Sequence, residues 1–202
     1  MANVTIKNKG SKQLFKNPVL ERLSRTHIAV PLTLYTLISV GLLYFAVTDK
    51  GISALAALGW FVAGFLFFTL LEYIAHRYLF HLEPTTKVRQ KIQYTVHGVH
   101  HEFPKDKDRL AMPPLLAMVY VAVLYLLFRF ILGDLVYVFL PGLLAGYSLY
   151  LFVHYAVHAF QPPKNFLKVL WIHHGIHHYK SPDRAYGVSS PLWDYIFRTM
   201  PK

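Results

Sequence analysis

Cysteine is absent from this sequence, so the chain carries no cysteine set for an iron–sulfur cluster. The absence fits a reducing compartment without requiring one. Acidic side chains are scarce as well, ten against 21 Lys and Arg. That shortage argues against a carboxylate-bridged diiron bundle, which draws its ligands from Glu and Glu-x-x-His motifs. No Gly-rich dinucleotide fingerprint follows a strand, no low-complexity tract or repeat of whole helices appears, and no small-residue cleavage site marks a removable leader. Charge is missing from long stretches: residues 28–48, 52–71 and 135–153 hold none, and residues 111–132 hold only Arg129.

What fills those stretches is apolar and aromatic. Hydrophobic residues make up 54% of the chain and aromatic ones 16%, above the level of a typical soluble domain. A run of about 18 or more apolar residues is long enough to cross the hydrocarbon core as a helix. The alternative, four buried helices of a soluble protein, leaves too little other chain to cover them. The expectation is an all-α membrane protein of one domain, residues 1–202, with transmembrane helices at about 28–48, 52–71, 111–132 and 135–153. These four spans pair as two hairpins through tight turns at Thr48–Gly51 and Gly133–Asp134, after a basic segment of residues 1–27. Pro113, Pro114 and Pro141 mark helix ends or kinks in the third and fourth spans. Residues 72–110 and 154–202 read as a helical cap, with exposed loops at Asp106–Asp108 and Gln161–Lys164.

The net charge of +11 is a topology signal, not a sign of nucleic-acid binding. All Lys and Arg except Lys50 and Arg129 lie in residues 1–27, 72–110 and 154–202. With four spans those three segments share one side of the bilayer, and the positive-inside rule makes it the cytoplasmic side. The same charges attract anionic headgroups.

Histidine is the unusual abundance. Of twelve, all but His27 fall in the two cap segments. They form four clusters: His76 with His81, His97 with His100 and His101, His154 with His158, and His173 and His174 with His177 and His178. Residues three and four apart share a helix face, so His97, His100 and His101 fall within about 100° of arc, as do His174, His177 and His178. His154 aligns with His158 likewise. His76 and His81 are five apart and point about 140° from one another on a regular helix; they reach one ion only if the helix unwinds or ends near His81. Glu83-Pro84 fits such an ending.

Neutral imidazole is a good ligand for Fe, Zn or Cu, and a shared ion offsets the cost of burying several of them. Independent structural roles would require each buried imidazole to find its own partner beside a membrane. A surface metal-buffering tract would not need this spacing. His27 stands apart and reads as a core histidine with one satisfied hydrogen bond. Ten ligands exceed one ion, whereas two ions with four or five imidazoles each fit. Of the few nearby acids, Glu72 and Glu102 read as groups that orient imidazoles, or as helix-end and solvated residues, and not as bridges.

The succession HX4H, HXXHH, HX3H, HXXHH resembles the fatty acid hydroxylase superfamily of membrane dimetal oxygenases, and within it the fatty acid 2-hydroxylases that act on sphingolipid acyl chains. EYIAHRYLFH from Glu72 resembles the first box of that family. HGVHHEFPKDKDRLAMPP through Pro114 resembles the second with its DXXRLXXPP extension, and HHGIHHYKSPDRAYGVSSPLWDYIFRT resembles the last box and its tail. The resemblance runs from about Glu72 to the C-terminus. It implies that His76, His81, His97, His100, His101, His154, His158, His174, His177 and His178 hold two metal ions, with His173 left over. It also implies iron, replaceable by zinc on purification, O2 as co-substrate, and two electrons and protons per turnover. Hydrogen abstraction next to the carbonyl and return of hydroxyl would give a 2-hydroxy acyl lipid.

Two departures qualify the pattern. The family often has Tyr-Asp shortly before its HX3H box; here Tyr150 is followed by Leu151. Many members also carry an N-terminal cytochrome b5 domain, whereas 27 residues precede the first span here. The expected electron donor is therefore external, a cytochrome b5 or ferredoxin type with its reductase, steered onto Lys87, Arg89, Lys91, Lys105 and Lys107. Tyr150, His173 and Asp194 join Glu72 as candidates to support the ligands, Asp194 alternatively capping a surface helix. Rival readings are a superfamily member acting on a sterol or carotenoid, a bis-histidine haem protein and a metal carrier. The expected location is multi-pass in a bacterial inner membrane or the endoplasmic reticulum, with the active site on the cytoplasmic side.

Overall fold

Each uncharged run folds as a helix, and three of the helices begin on a side chain that satisfies free N–H groups. The computed structural model describes residues 5–201, and among them there are helices and no strand. Helix α1 (Pro18–Leu23) starts on Asn17, whose side chain accepts from the N–H of Val19 and Leu20, with Pro18 in the first turn. Helix α2 is Ala29–Thr48. Helix α3 (Ala54–Ile74) starts on Ser53, which accepts from Ala56 N–H. Thr86 caps α4 (Lys87–Gln93) in the same way. A four-residue α5 (Val99–Glu102) follows. Pro113 and Pro114 delay α6 (Pro114–Leu132) by a few residues, because the residue before a proline disfavours the α region. Then come α7 (Val136–Ala159), α8 (Lys168–Tyr179) and α9 (Leu192–Ile196).

Three helical stretches are long and apolar enough to cross a membrane: Ala29–Thr48, Ala54–Phe80, and the 53-residue Lys107–Ala159 that contains both α6 and α7. Helix α3 and its continuation run past residue 71, and α7 past residue 153. A change from leucine to histidine does not interrupt backbone hydrogen bonding, so polarity alone misplaces a helix end.

The turns fall where expected. Gly51 (φ +63°) and Gly133 (φ +58°) take left-handed backbone angles that suit glycine. Both turns lie at the same end of the bundle, since Lys50 Nζ is 3.4 Å from Asp134 Oδ2. Aromatic contacts set the helix directions. Tyr35 and Phe45 of α2 meet Tyr147 and Tyr137 of α7 (5.2 and 4.9 Å between centroids), so α2 and α7 are antiparallel. Tyr120 and Phe128 of α6 meet Tyr147 and Phe139 (5.5 and 4.8 Å), again antiparallel. Trp60 and Phe68 of α3 meet Phe139 and Tyr147 (6.3 and 5.2 Å). Helices α3 and α7 therefore run in the same direction and discharge their histidines at the same end.

That pair is in backbone contact. A Cβ built on Gly142 would lie 1.9 Å from the Phe61 carbonyl oxygen, and one on Gly64 would lie 2.1 Å from that of Phe139. Small residues at a helix crossing allow this approach in membrane bundles. Helix α7 is buried along most of its length, through Val136, Leu140, Leu143, Leu144 and Leu151.

The basic segment before α2 is a strap across the cap. Lys7 N–H donates to the Glu102 carbonyl (2.7 Å) and Thr26 N–H to that of Asp108 (2.9 Å). The Arg109 guanidinium, its side chain 4% exposed, bonds to Glu21, Ser24 and the Lys12 carbonyl. Asp106 is held by Ser11 and faces Arg109. Of the loop expected to be exposed at 106–108, only Lys107 and Asp108 are.

Candidate metal centre

The first histidine pair is brought together by a change of helical pitch. After Ile74 the chain widens into a π-helical turn, Ala75–Phe80. There His81 N–H donates to the carbonyl of His76 (3.2 Å), an i→i+5 bond. That bond returns His81 over His76, and the rings lie 5.0 Å apart, where a regular helix would splay them. A second π-helical turn, Tyr94–Gly98, precedes α5. His97 comes from this turn, His100 and His101 from α5, His154 and His158 from the end of α7, and His174, His177 and His178 from α8.

These ten side chains form two sets of five. His76, His81, His97, His101 and His177 make the first, and His100, His154, His158, His174 and His178 the second; within each set one ligand nitrogen per residue lies within 4.8 Å of all the others. Each HXXHH box is shared between them. Its i, i+4 pair enters one set and its i+3 residue crosses to the other: His97 and His101 against His100, and His174 and His178 against His177. On a helix the i+4 residue lies about 40° to one side of residue i and the i+3 residue about 60° to the other, so one turn of helix serves two centres. The sets abut, with His101 stacked on His178 at 4.2 Å.

The Nε2 atoms point inward. Neighbouring Nε2 atoms are 3.1 Å (His76–His97) and 3.0 Å (His97–His101) apart in the first set. In the second they are 3.1 Å (His100–His178), 3.0 Å (His100–His154) and 2.8 Å (His158–His174) apart. Two nitrogens at about 2.1 Å from an ion are about 3.0 Å apart at a right angle and about 3.4 Å apart at the tetrahedral angle. These nearest spacings are those of nitrogens that could share one ion.

Protonation states agree with this arrangement. His177 Nδ1 donates to the Arg184 carbonyl (2.7 Å), and His76 Nδ1 donates to that of Tyr186. A carbonyl only accepts, so the proton sits on Nδ1 and Nε2 keeps its lone pair. Burial, then mutual repulsion among the rings, holds His97, His100, His101, His174 and His178 well below the ordinary imidazole range. His81 and His177 are lowered chiefly by burial as well. The rings are therefore neutral near pH 7 and carry lone pairs. The Nε2 atoms of His81 and His177, both in the first set, are buried without a protein partner among the described residues, which a cation shared by that set would supply. The residues thus fit two metal ions.

The other sequence candidates sit around these sets. Tyr150 stacks on His154 (5.4 Å, 13° between planes). Leu151 is 1% exposed in the hydrophobic core, so packing replaces whatever an aspartate would do there. His173 belongs to neither set and donates to Asp194 (3.0 Å). Asp194 touches none of the ten, and it is not a helix cap. It accepts from Tyr186 N–H, Gly187 N–H and Thr199 Oγ1 (2.9, 2.7 and 2.7 Å). Burial pushes its pKa up, but these bonds and the one from His173 outweigh that and leave it below the usual carboxylate range. Glu72 bonds to none of the ten either; it accepts from Val188 and Ser189 N–H (2.7 and 2.9 Å) and from Ser189 Oγ. Glu102 faces the strap and accepts from Lys7 Nζ (2.6 Å) and Tyr94. His27 is exposed, not part of the core, and its Nδ1 accepts from Ala29 N–H (3.2 Å).

Lys87, Arg89, Lys91, Lys105 and Lys107 are all exposed, and none pairs with a carboxylate among the described residues. The partners of Nδ1, the Arg184 and Tyr186 carbonyls, escape sequence reasoning because every residue has a carbonyl. The RAYGVSS stretch that supplies them was visible only as part of a family-like tail.

A family model described as fatty acid hydroxylase matches residues 61–199. The chain is 36% identical over 209 residues to a fatty acid 2-hydroxylase of Rattus norvegicus, covering 93% of this chain and 56% of that protein. It is 35% identical over 195 residues to the ceramide very long chain fatty acid hydroxylase scs7 of Schizosaccharomyces pombe, covering 94% of this chain and 55% of that one. A solved structure titled full length scs7p, with only the hydroxylase domain visible, superposes with a TM-score of 0.87 at 34% identity, over 96% of this chain and 74% of the other. This chain spans about half the length of the curated relatives it matches. With the histidine boxes gathered as described and the family model covering most of the chain, this protein belongs to the fatty acid hydroxylase family.

Proposed function

We propose that this chain is a single hydroxylase domain that crosses the membrane four times and hydroxylates carbon 2 of an acyl chain, carried as a free fatty acid or in ceramide. The observation that carries this reading is the pair of five-nitrogen sets at the open end of an apolar bundle. The names of the similar proteins, fatty acid 2-hydroxylase and ceramide very long chain fatty acid hydroxylase, support the choice of substrate. When bound, two irons supply O2 activation and hydrogen abstraction at the carbon beside the carbonyl. The chain's own part is to hold neutral Nε2 donors in fixed directions and to keep water away. A row of aromatic rings, Phe68, Tyr147 and Tyr150, leads from the bundle core to His154. Mass spectrometry of lipids from cells with and without the gene tests the reaction: 2-hydroxy acyl lipids should appear only with it. A hydroxylated sterol or carotenoid in their place would refute the acyl assignment.

The distribution of the basic segments supports a centre on the cytoplasmic face, in a bacterial inner membrane or the endoplasmic reticulum. The chain has no native cysteine, so single-cysteine labelling has no background. Asp49 lies at the hairpin end and Lys105 on the cap, and both are exposed. An impermeant thiol reagent should label Asp49→Cys from the non-cytoplasmic side and Lys105→Cys only after permeabilisation. The reverse pattern would overturn the orientation.

Electrons come from an acidic carrier, a cytochrome b5 or ferredoxin type with its reductase, docked on the unpaired Lys and Arg of the cap. Purified, iron-loaded protein with lipid and O2 should be silent until carrier, reductase and NAD(P)H are added. Turnover should then fall several-fold as ionic strength rises from about 0.01 to about 0.15 M, over which the Debye length shrinks from about 30 to about 8 Å. Sustained turnover with NAD(P)H alone would place the donor inside the chain.

A further inference from the structure

The two histidine sets are oriented by unequal means. In the first, His76 and His177 donate from Nδ1 to the carbonyls of Tyr186 and Arg184. The segment that carries those carbonyls is itself pinned: Ala185 N–H donates to the Thr199 carbonyl (3.0 Å), Asp194 grips the N–H groups of Tyr186 and Gly187, and Glu72 grips those of Val188 and Ser189. Gly187 fits so closely that a Cβ there would meet the Ser190 carbonyl oxygen at 2.2 Å. In the second set the Nδ1 atoms of His100, His174 and His178 are buried without a protein partner among the described residues, and that of His154 approaches the Leu110 carbonyl without hydrogen-bonding geometry. An imidazole whose outer nitrogen is bonded to a fixed acceptor has a set tautomer, a set ring plane and a more basic inner nitrogen.

We infer that the two sites are inequivalent: the first set fills first and releases its ion last, and Glu72 and Asp194 are positioning residues for it that act through residues 184–189. This rests on the dimetal reading above. Neither carboxylate touches a proposed ligand; both act through the backbone carbonyls of residues 184–189, a route that reaches only the first set, while Asp194 also holds His173 on α8, so Glu72 is the cleaner reporter of that route.

The test is metal release from the full-length, metal-loaded protein in detergent, followed by metal analysis after addition of a chelator. Two ions per chain should leave in two phases separated by about 10- to 100-fold in rate, the range seen when groups orienting metal ligands are altered. His158→Ala should remove the fast phase and His81→Ala the slow one, which assigns the phases to the sets. Glu72→Gln and Asp194→Asn should speed the slow phase about tenfold and leave the fast phase alone. Should either fail to fold, Ser189→Ala, which removes only one bond to Glu72, should still speed the slow phase several-fold. A general loss of stability would accelerate both phases together, and that result overturns the inference, as does release of both ions in one phase. Loading of fewer than two ions overturns the dimetal reading, and this inference falls with it.

Discussion

Replacing any one of His81, His101, His158 or His178 with alanine abolishes hydroxylation, by at least about 10³-fold, while His27→Ala leaves it near normal. Each of the four removes one nitrogen from a set of five, two from each set, and groups that act as a unit lose their function together. Their losses are therefore not additive: combining His101→Ala with His178→Ala should be no worse than either alone. Metal analysis should show a fall below two ions in every ligand variant and none in His27→Ala. His27 is exposed and accepts a single bond from Ala29 N–H, a contact whose loss costs about 1 kcal/mol. Full activity in two or more of the four ligand variants, at equal protein levels, would sink the dimetal assignment.

The second large effect is expected far from the histidines. Gly142→Ala and Gly64→Ala should each destabilise the protein by more than about 3 kcal/mol and strip it of metal. The added Cβ would overlap backbone atoms of the facing helix, Phe61 at 1.9 Å and Phe139 at 2.1 Å. Backbone cannot rotate away as a side chain can, so α3 and α7 must separate. Those two helices carry His76 and His81 on one side and His154 and His158 on the other, and a shift of about 1 Å between reacting groups can cost about 10²-fold in rate. Gly41→Ala is the control, since a Cβ there meets nothing within 4 Å; it should gain up to about 1 kcal/mol from helix propensity. Thermal unfolding in detergent with parallel metal analysis reads all three. Wild-type stability and metal content in Gly142→Ala would show that the α3–α7 contact is looser than described.

Much of the architecture was legible because its causes are local. An uncharged run of 20 residues is helical wherever its backbone cannot bond to water, and glycine at a turn announces a backbone angle other residues resist. The histidine boxes were legible for the same reason: spacings of three and four report helix faces directly. What stayed hidden involves partners remote in sequence. The π-helical turn at Ala75–Phe80 shows only as the misfit of a five-residue spacing. Glu72 and Asp194 were expected to orient ligand imidazoles directly, yet they hold the backbone of residues 186–189, more than a hundred positions from Glu72, and the one imidazole Asp194 meets is that of His173, outside both sets. The basic N-terminal segment read as charge alone and proves to be a strap fastened to Glu102, Asp106 and Arg109.

The sequence by itself determined the apolar helices, the parts of the chain in which histidine accumulates, and the imidazole make-up of the candidate centre, because hydropathy, turn preference and imidazole chemistry belong to residues and their near neighbours. Only the tertiary structure decided which five histidines make each set. Within one HXXHH box all three rings share a face, and the face alone does not say toward which centre each will turn. That choice depends on neighbours remote in sequence: His97, His101 and His177 gather around His76 and His81 at the end of α3, and His100, His174 and His178 around His154 and His158 at the end of α7.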